Sequence, residues 1–331
     1  MAKALEHSMS EPVMSEPVQR QHITFSGFSG HALQGYLLAL PVGSGIPQMV
    51  ALFVHGMAEH ARRYAAGAAE LADIGAVAYA YDQRGHGPAA AAADALGFIA
   101  ENDGFTLLVK DLVCVIDRLR ADHPGLPLVL FGQSMGSLVV RDYLHRYGDH
   151  AARLRAVVLS GTVGHPAIAG RLGLLYALAL RRRRGTRSAA VELDRLTFGS
   201  YDRRFRPTRT AFDWLSREPS AVDLYVQDPL CGFVCSAGFY VDLLRATLRT
   251  NSRRAAAATP RSVPMLFISG ASDPVGGFGR GVSRVVLRYR RAGVRNITLR
   301  LYDNARHELY YETNRHEVWS SVKRWLQEGV L

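Results

Sequence analysis

Cysteine and lysine are both scarce in this chain. The three cysteines, Cys114, Cys231 and Cys235, are too few and too scattered for a disulfide framework. Cys231 and Cys235 stand four apart, but a zinc site needs further ligands close by, and residues 229–233 supply none. No metal is expected, and the thiols read as reduced, buried side chains of a cytoplasmic protein. A continuous apolar run of 18 residues is also missing, so no helix should span a membrane. The N-terminus lacks the apolar stretch of a secretory signal. Collagen-like and coiled-coil repeats are absent as well.

The composition is that of a globular chain. Of the 331 residues, 48% are apolar and 21% charged, enough to bury a core and unlike a disordered chain. The 40 basic residues exceed the 29 acidic ones by +11, and only Lys3, Lys110 and Lys323 among them are lysines. At this length one large domain can carry a smaller insert.

Residues 9–13 and 14–18 repeat one another, Met9-Ser-Glu-Pro-Val13 then Met14-Ser-Glu-Pro-Val18. With two prolines and no periodicity, residues 1–21 read as a flexible leader. Eight segments rich in β-branched or aromatic residues follow, at 23–26, 32–39, 49–54, 77–82, 128–131, 156–159, 265–269 and 296–302. The first two form a hairpin joined at 27–30. Several later ones are nearly unbroken apolar runs, as parallel strands buried on both faces should be. Helical spacing of apolar residues marks 62–74, 105–121, 135–147, 237–248, 281–292 and 312–327.

Strands alternating with helices predict an α/β fold, a mostly parallel eight-stranded sheet flanked by helices. From 161 to 224 the alternation stops. This interval is expected to be an inserted helical cap, dividing the core into 22–160 and 225–331. Its twelve arginines oppose six acids, so +6 of the net charge sits there.

The strongest chemical signal is Gly132-Gln133-Ser134-Met135-Gly136, between a predicted strand and a predicted helix. A sharp strand–turn–helix elbow needs glycines beside its serine and presents the hydroxyl at the carboxyl edge of the sheet. Ser134 is the candidate nucleophile. A hydroxyl needs a base, and the expected chain order is serine, acid, histidine. Asp273 lies just past the strand at 265–269, and His307 just past the strand at 296–302. His316 falls inside the predicted C-terminal helix and reads as a surface residue. Asp273 would orient His307, which would deprotonate Ser134 and later protonate the departing alcohol.

Backbone N–H groups suit the oxyanion because they are fixed before the reaction. Met135, after the nucleophile, offers one. Met57, in the loop His55-Gly56-Met57-Ala58-Glu59-His60 after the strand at 49–54, offers the other. The segment Asp82-Gln83-Arg84-Gly85-His86-Gly87 ends another strand on the same edge. It is expected to brace the oxyanion loop rather than bind a metal.

These motifs, in this order, together with Ser272-Asp273-Pro274-Val275 and Ala305-Arg306-His307-Glu308, resemble the α/β-hydrolase superfamily. Within it they resemble the monoacylglycerol lipase and lysophospholipase branch, grouped with serine-aminopeptidase-like hydrolases. The resemblance covers about residues 22–331 and is weakest in the cap. It implies Ser134, Asp273 and His307 as triad, Met57 and Met135 as oxyanion donors, and no cofactor. It further implies a helical cap roofing an apolar acyl tunnel and a carboxylic ester as substrate. Members more often carry glycine where this chain has Ala58.

The cap should govern which ester is cleaved. Its stretch 172–180 either lines an apolar wall or packs against the sheet domain. Arg181–Arg184 is a candidate contact with an anionic membrane surface. Nucleic acid is not an expected partner, because no recognition helix, zinc module or aromatic–basic platform accompanies the charge. Epoxide hydrolase and dehalogenase chemistry would need a carboxylate where Ser134 stands. The expectation is a lipid-ester hydrolase working through an acyl-enzyme; the alternative is a short-acyl carboxylesterase or thioesterase.

Overall fold

The computed structural model describes residues 21–43, 45–164 and 167–331, so the leader, apart from Gln21, lies outside the described residues. Eight strands form one sheet: β1 (Gln21–Ser26), β2 (Ala32–Ala39), β3 (Met49–Val54), β4 (Ala76–Tyr81), β5 (Leu128–Gln133), β6 (Ala156–Ser160), β7 (Met265–Gly270) and β8 (Ile297–Tyr302). Their order is β1-β2-β4-β3-β5-β6-β7-β8. β2 pairs antiparallel with β1 and β4, and β3 to β8 run parallel. Gln21, assigned by sequence to the leader, pairs with Leu37 and belongs to the sheet.

The unbroken apolar runs are explained by burial on both faces. Every residue of β3, β5, β6 and β7 is buried. Side chains alternate between faces, so Val50, Leu52 and Val54 enter one core while Met49, Ala51 and Phe53 enter the other. Helices Gly104–Asp122, Met135–Arg146, Ala237–Thr250 and Arg280–Arg291 cover the first core. Ala65–Ala72 and Arg315–Gly329 cover the second.

Two expectations shift. The helix predicted over 62–74 divides into a 3-10 turn, Ala61–Tyr64, and a shorter α-helix, Ala65–Ala72. Between β6 and Ala237 the chain forms helices Ala167–Arg184, Val191–Thr197 and Pro219–Gln227, with 3-10 turns Phe198–Arg204 and Asp213–Leu215. The boundary expected at 224 therefore cuts a helix that continues to Gln227. None of the described helices is long and apolar enough to cross a membrane.

Candidate active site

Strand β5 runs into helix Met135–Arg146 through a single residue, Ser134, at φ 50° and ψ −115°. An L-residue reaches this region only where its surroundings over-determine it. They do so here from two sides. The Ser134 N–H donates to Ser160 O at 2.9 Å, and Gly136 lies so close to β3 that a Cβ there would stand 2.0 Å from Val54 O. Ser134 is thereby lifted to the rim of a cavity of about 790 Å³.

Adjacent parallel strands deliver the other two predicted residues. Asp273 follows β7 and His307 follows β8, and His307 Nδ1 lies 3.0 Å from Asp273 Oδ1. A carboxylate only accepts, so Nδ1–H donates, and in the neutral ring it is Nε2 that carries the lone pair. Val275 N–H donates to the same Oδ1 at 2.8 Å. Burial of His307 pulls its pKa down, but the charge and hydrogen bond of Asp273 outweigh it and leave the pKa above 6.5. Gly161, with φ +55°, backs the ring; a Cβ there would lie 2.8 Å from His307 Cε1. Ser134 and His307 line the same cavity. His316 instead sits on helix Arg315–Gly329 with its side chain 76% exposed.

Met57 and Met135 also line the cavity. Neither of their N–H groups donates to a protein acceptor among the described residues, whereas the amides flanking Met57 are occupied. Gly56 N–H donates to Glu59 Oε1 at 2.5 Å and Ala58 N–H to His86 Nε2 at 3.3 Å. Burial holds the His86 pKa down at about 4, so the ring is neutral and can accept. Asp82 takes Ala61 N–H at 2.7 Å and His55 Nε2 takes Gln83 N–H at 2.9 Å. The Asp82–Gly87 segment thus grips the loop from behind.

The geometry has its counterparts among known proteins. Residues 45–314 match the hydrolase family described as serine aminopeptidase, S33. The chain belongs to this family. It is 28% identical over 285 residues to the monoacylglycerol lipase of Mycolicibacterium smegmatis, across 85% of this chain and 88% of that one. Human monoglyceride lipase is 27% identical over 289 residues, 86% of this chain and 84% of its own. A thermostable carboxyl esterase of Bacillus coagulans, solved with glycerol, superposes with a TM-score of 0.85 at 25% identity, covering 94% of this chain and 99% of that one.

One feature of this S33-family site has no sequence motif. Arg63 bonds Glu59 Oε2 at 2.5 Å and both oxygens of Glu308 at 2.7 and 2.8 Å. It links the loop carrying Met57 to the residue after His307. Both carboxylates fall inside motifs already noted, at 55–60 and 305–308, but Arg63 lies outside every motif. Aromatic residues from the β6–β7 segment close the far side: Trp214 lies against His307, and Phe198, Tyr201 and Phe212 pack around Trp214 and Tyr225.

The fold also brings His60 and Asp228 to Cys231, with ligating atoms within 4.8 Å of one another. They do not fit a metal. His60 Nε2 bonds Asp228 at 2.8 Å, and its buried Nδ1 has no partner among the described residues to orient the ring as a ligand. Burial also pushes the Cys231 pKa up, keeping a protonated thiol.

Proposed function

We propose that this protein cleaves monoacylglycerol-like or lysophospholipid-like esters through an acyl-enzyme on Ser134. The carrying observation is the convergence of Ser134, held in a strained elbow, and the Asp273-bonded His307 ring on one cavity. His307 Nε2 removes the Ser134 proton as the oxygen attacks the ester carbonyl. Asp273 holds the ring and offsets the imidazolium charge. The Met57 and Met135 N–H groups receive the oxyanion, because no protein acceptor competes for them. His307 then protonates the departing alcohol, and water reverses the sequence to release the acid.

The lipid-like substrate is supported by the walls and by the relatives. Leu193, Leu196, Phe198, Leu243 and Leu244 give the cavity an apolar lining suited to an acyl chain. The similar chains from M. smegmatis and human carry monoacylglycerol lipase and monoglyceride lipase names. In this reading the segment beginning at Gly161 is the cap, set between core parts 22–160 and 225–331. The protein works in the cytoplasm, where three unpaired cysteines are at home, and meets anionic membrane through the cap.

Ser134→Ala is the direct test. The variant should fold normally and lose at least about 10³-fold in turnover. Near-normal hydrolysis of p-nitrophenyl esters would overturn the assignment. Comparing monoacylglycerols, lysophosphatidylcholine and short p-nitrophenyl esters then tests the substrate class. A marked preference for the short esters would favour the carboxylesterase alternative.

A further inference from the structure

Arg141 is 1% exposed and the bulkiest of the fully buried side chains, yet no acid pairs with it among the described residues. Its Nε reaches Tyr289 Oη at 3.3 Å. Nη1 reaches Thr162 Oγ1 and Val163 O at 3.3 and 3.4 Å, and Nη2 reaches Thr250 O and Asn251 Oδ1 at 3.3 and 3.0 Å. Five donors meet five oxygens, and every oxygen is neutral. The hydrogen bonds are satisfied but the charge is not. Burying an ion without a counter-ion is costly enough that the position asks for an explanation.

The explanation lies along one branch of this cage. Thr162 Oγ1, which accepts from Arg141, is 2.7 Å from Ser137 Oγ, and Ser137 Oγ is 2.6 Å from the carbonyl oxygen of Ser134. A carbonyl can only accept, so the single Ser137 proton goes to Ser134 O. Thr162 must then donate to Ser137. Every proton in the chain is therefore directed from the guanidinium toward the Ser134 carbonyl, the arrangement in which successive hydrogen bonds polarise one another. That carbonyl belongs to the peptide whose N–H is that of Met135.

We infer that Arg141, acting through Thr162 and Ser137, polarises the Ser134–Met135 peptide and strengthens Met135 N–H as a donor to the oxyanion. The inference rests on the proposed oxyanion role of Met135. Arg141 touches neither substrate nor reacting atoms and is a positioning residue, whose charge reaches the site along two hydroxyls. An ion pair in its place would cancel the field that the chain transmits.

The test compares a p-nitrophenyl ester with its thionoester, in which sulfur, a poor hydrogen-bond acceptor, replaces the carbonyl oxygen. Ser137→Ala and Thr162→Val break the chain while leaving Arg141 in place, and Thr162→Ser restores it. Single-turnover acylation of the ester should fall about 3- to 10-fold in the first two variants, less than the roughly 10²- to 10³-fold for losing a whole oxyanion donor. KM and thionoester acylation should stay within about twofold, and Thr162→Ser should recover the ester rate. Arg141→Met should follow the same pattern where it folds. Equal losses on both substrates would mean a merely structural role and overturn the inference, even with Ser134→Ala inactive. Full turnover by Ser134→Ala would instead remove the reading beneath it.

Discussion

Trp214 and His307 meet ring to ring, with centroids 5.2 Å apart and planes inclined at 40°, although one precedes β7 and the other follows β8. Trp214 helps bury the imidazole, which disfavours its protonated form, and Asp273 favours that form. The two neighbours therefore pull the His307 pKa in opposite directions, and Asp273 prevails.

The proposed base must be neutral, so activity should fall as pH drops through the His307 pKa, which lies above 6.5. Asp273→Asn removes the raising influence and should move the acid limb of kcat/KM down, with a large loss of rate. Trp214→Ala removes part of the burial and should move the limb up. Profiles of kcat/KM against pH for the three proteins check this; shifts in the same direction would refute the account. For stability the sign is the opposite of that for activity. Because the folded pKa is raised, the contact stabilises fully below about pH 6.5 and loses that contribution as pH rises through the folded value.

Arg63 should matter to stability far more than most of its kind. Its side chain is 10% exposed, and its partners Glu59 and Glu308 are 4% and 8% exposed. Arg63→Met leaves two buried carboxylates facing each other, which should cost about 3–5 kcal/mol. Arg118 and Asp122, 58% and 39% exposed, form the control: Arg118→Ala should change stability by no more than about 0.5 kcal/mol. Urea unfolding measures both. Comparable effects would show that burial is not what makes the Arg63 bridge important.

The sheet was legible in the sequence because parallel strands buried on both faces cannot hide. Runs such as 49–54 and 128–131 admit little else, and the residues after β5, β7 and β8 follow from strand order. The S33-family membership agrees with that reading. What escaped depends on approach between distant parts of the chain. Arg63 and Glu308 are 245 residues apart, and nothing in the pattern around Trp214 points toward His307. Arg141 lies within the helical spacing of 135–147, which says nothing of its burial; only the packing of Thr162, Thr250 and Tyr289 around it shows that. The stretch 172–180 was ambiguous for a good reason, since it does both things: Leu172 and Tyr176 line the cavity while Ala177 and Leu180 are buried.

Ala58 is a departure that the backbone makes measurable. Its φ is +53°, a left-handed conformation that costs an alanine about 1–2 kcal/mol. Its carbonyl accepts from Tyr225 Oη and Gly232 N–H, both at 2.9 Å, while its N–H is bonded to His86. Those bonds hold the conformation whichever residue is present. Ala58→Gly removes the strain but adds about 0.4–1 kcal/mol of unfolded-state entropy, so a net gain of about 0.5–1 kcal/mol is expected. Activity should stay within about twofold, because the Met57 amide is fixed by its neighbours. Lower stability in the glycine variant would show that the alanine is not strained.

The proposed membrane contact rests on helix Ala167–Arg184, which exposes Ile168, Leu172 and Leu175 at 73%, 61% and 63%. The spacing of four and three residues places them on one face, and Arg182 and Arg183 stand exposed at the end of the same helix. Apolar side chains beside basic ones are the pattern of a helix lying in a lipid interface. Leu172 also lines the cavity, so the face that would touch lipid adjoins the proposed acyl site. Co-sedimentation should therefore favour vesicles containing anionic lipid over neutral ones. Replacing Arg182 and Arg183 with glutamine should weaken that preference by about 1 kcal/mol per residue, roughly fivefold each. Ile168→Gln with Leu175→Gln should lower binding to both vesicle types. Turnover of a soluble short ester should change little in either double variant, because none of these four residues lines the cavity. Equal binding of the native protein to neutral and anionic vesicles would eliminate the electrostatic part of the contact.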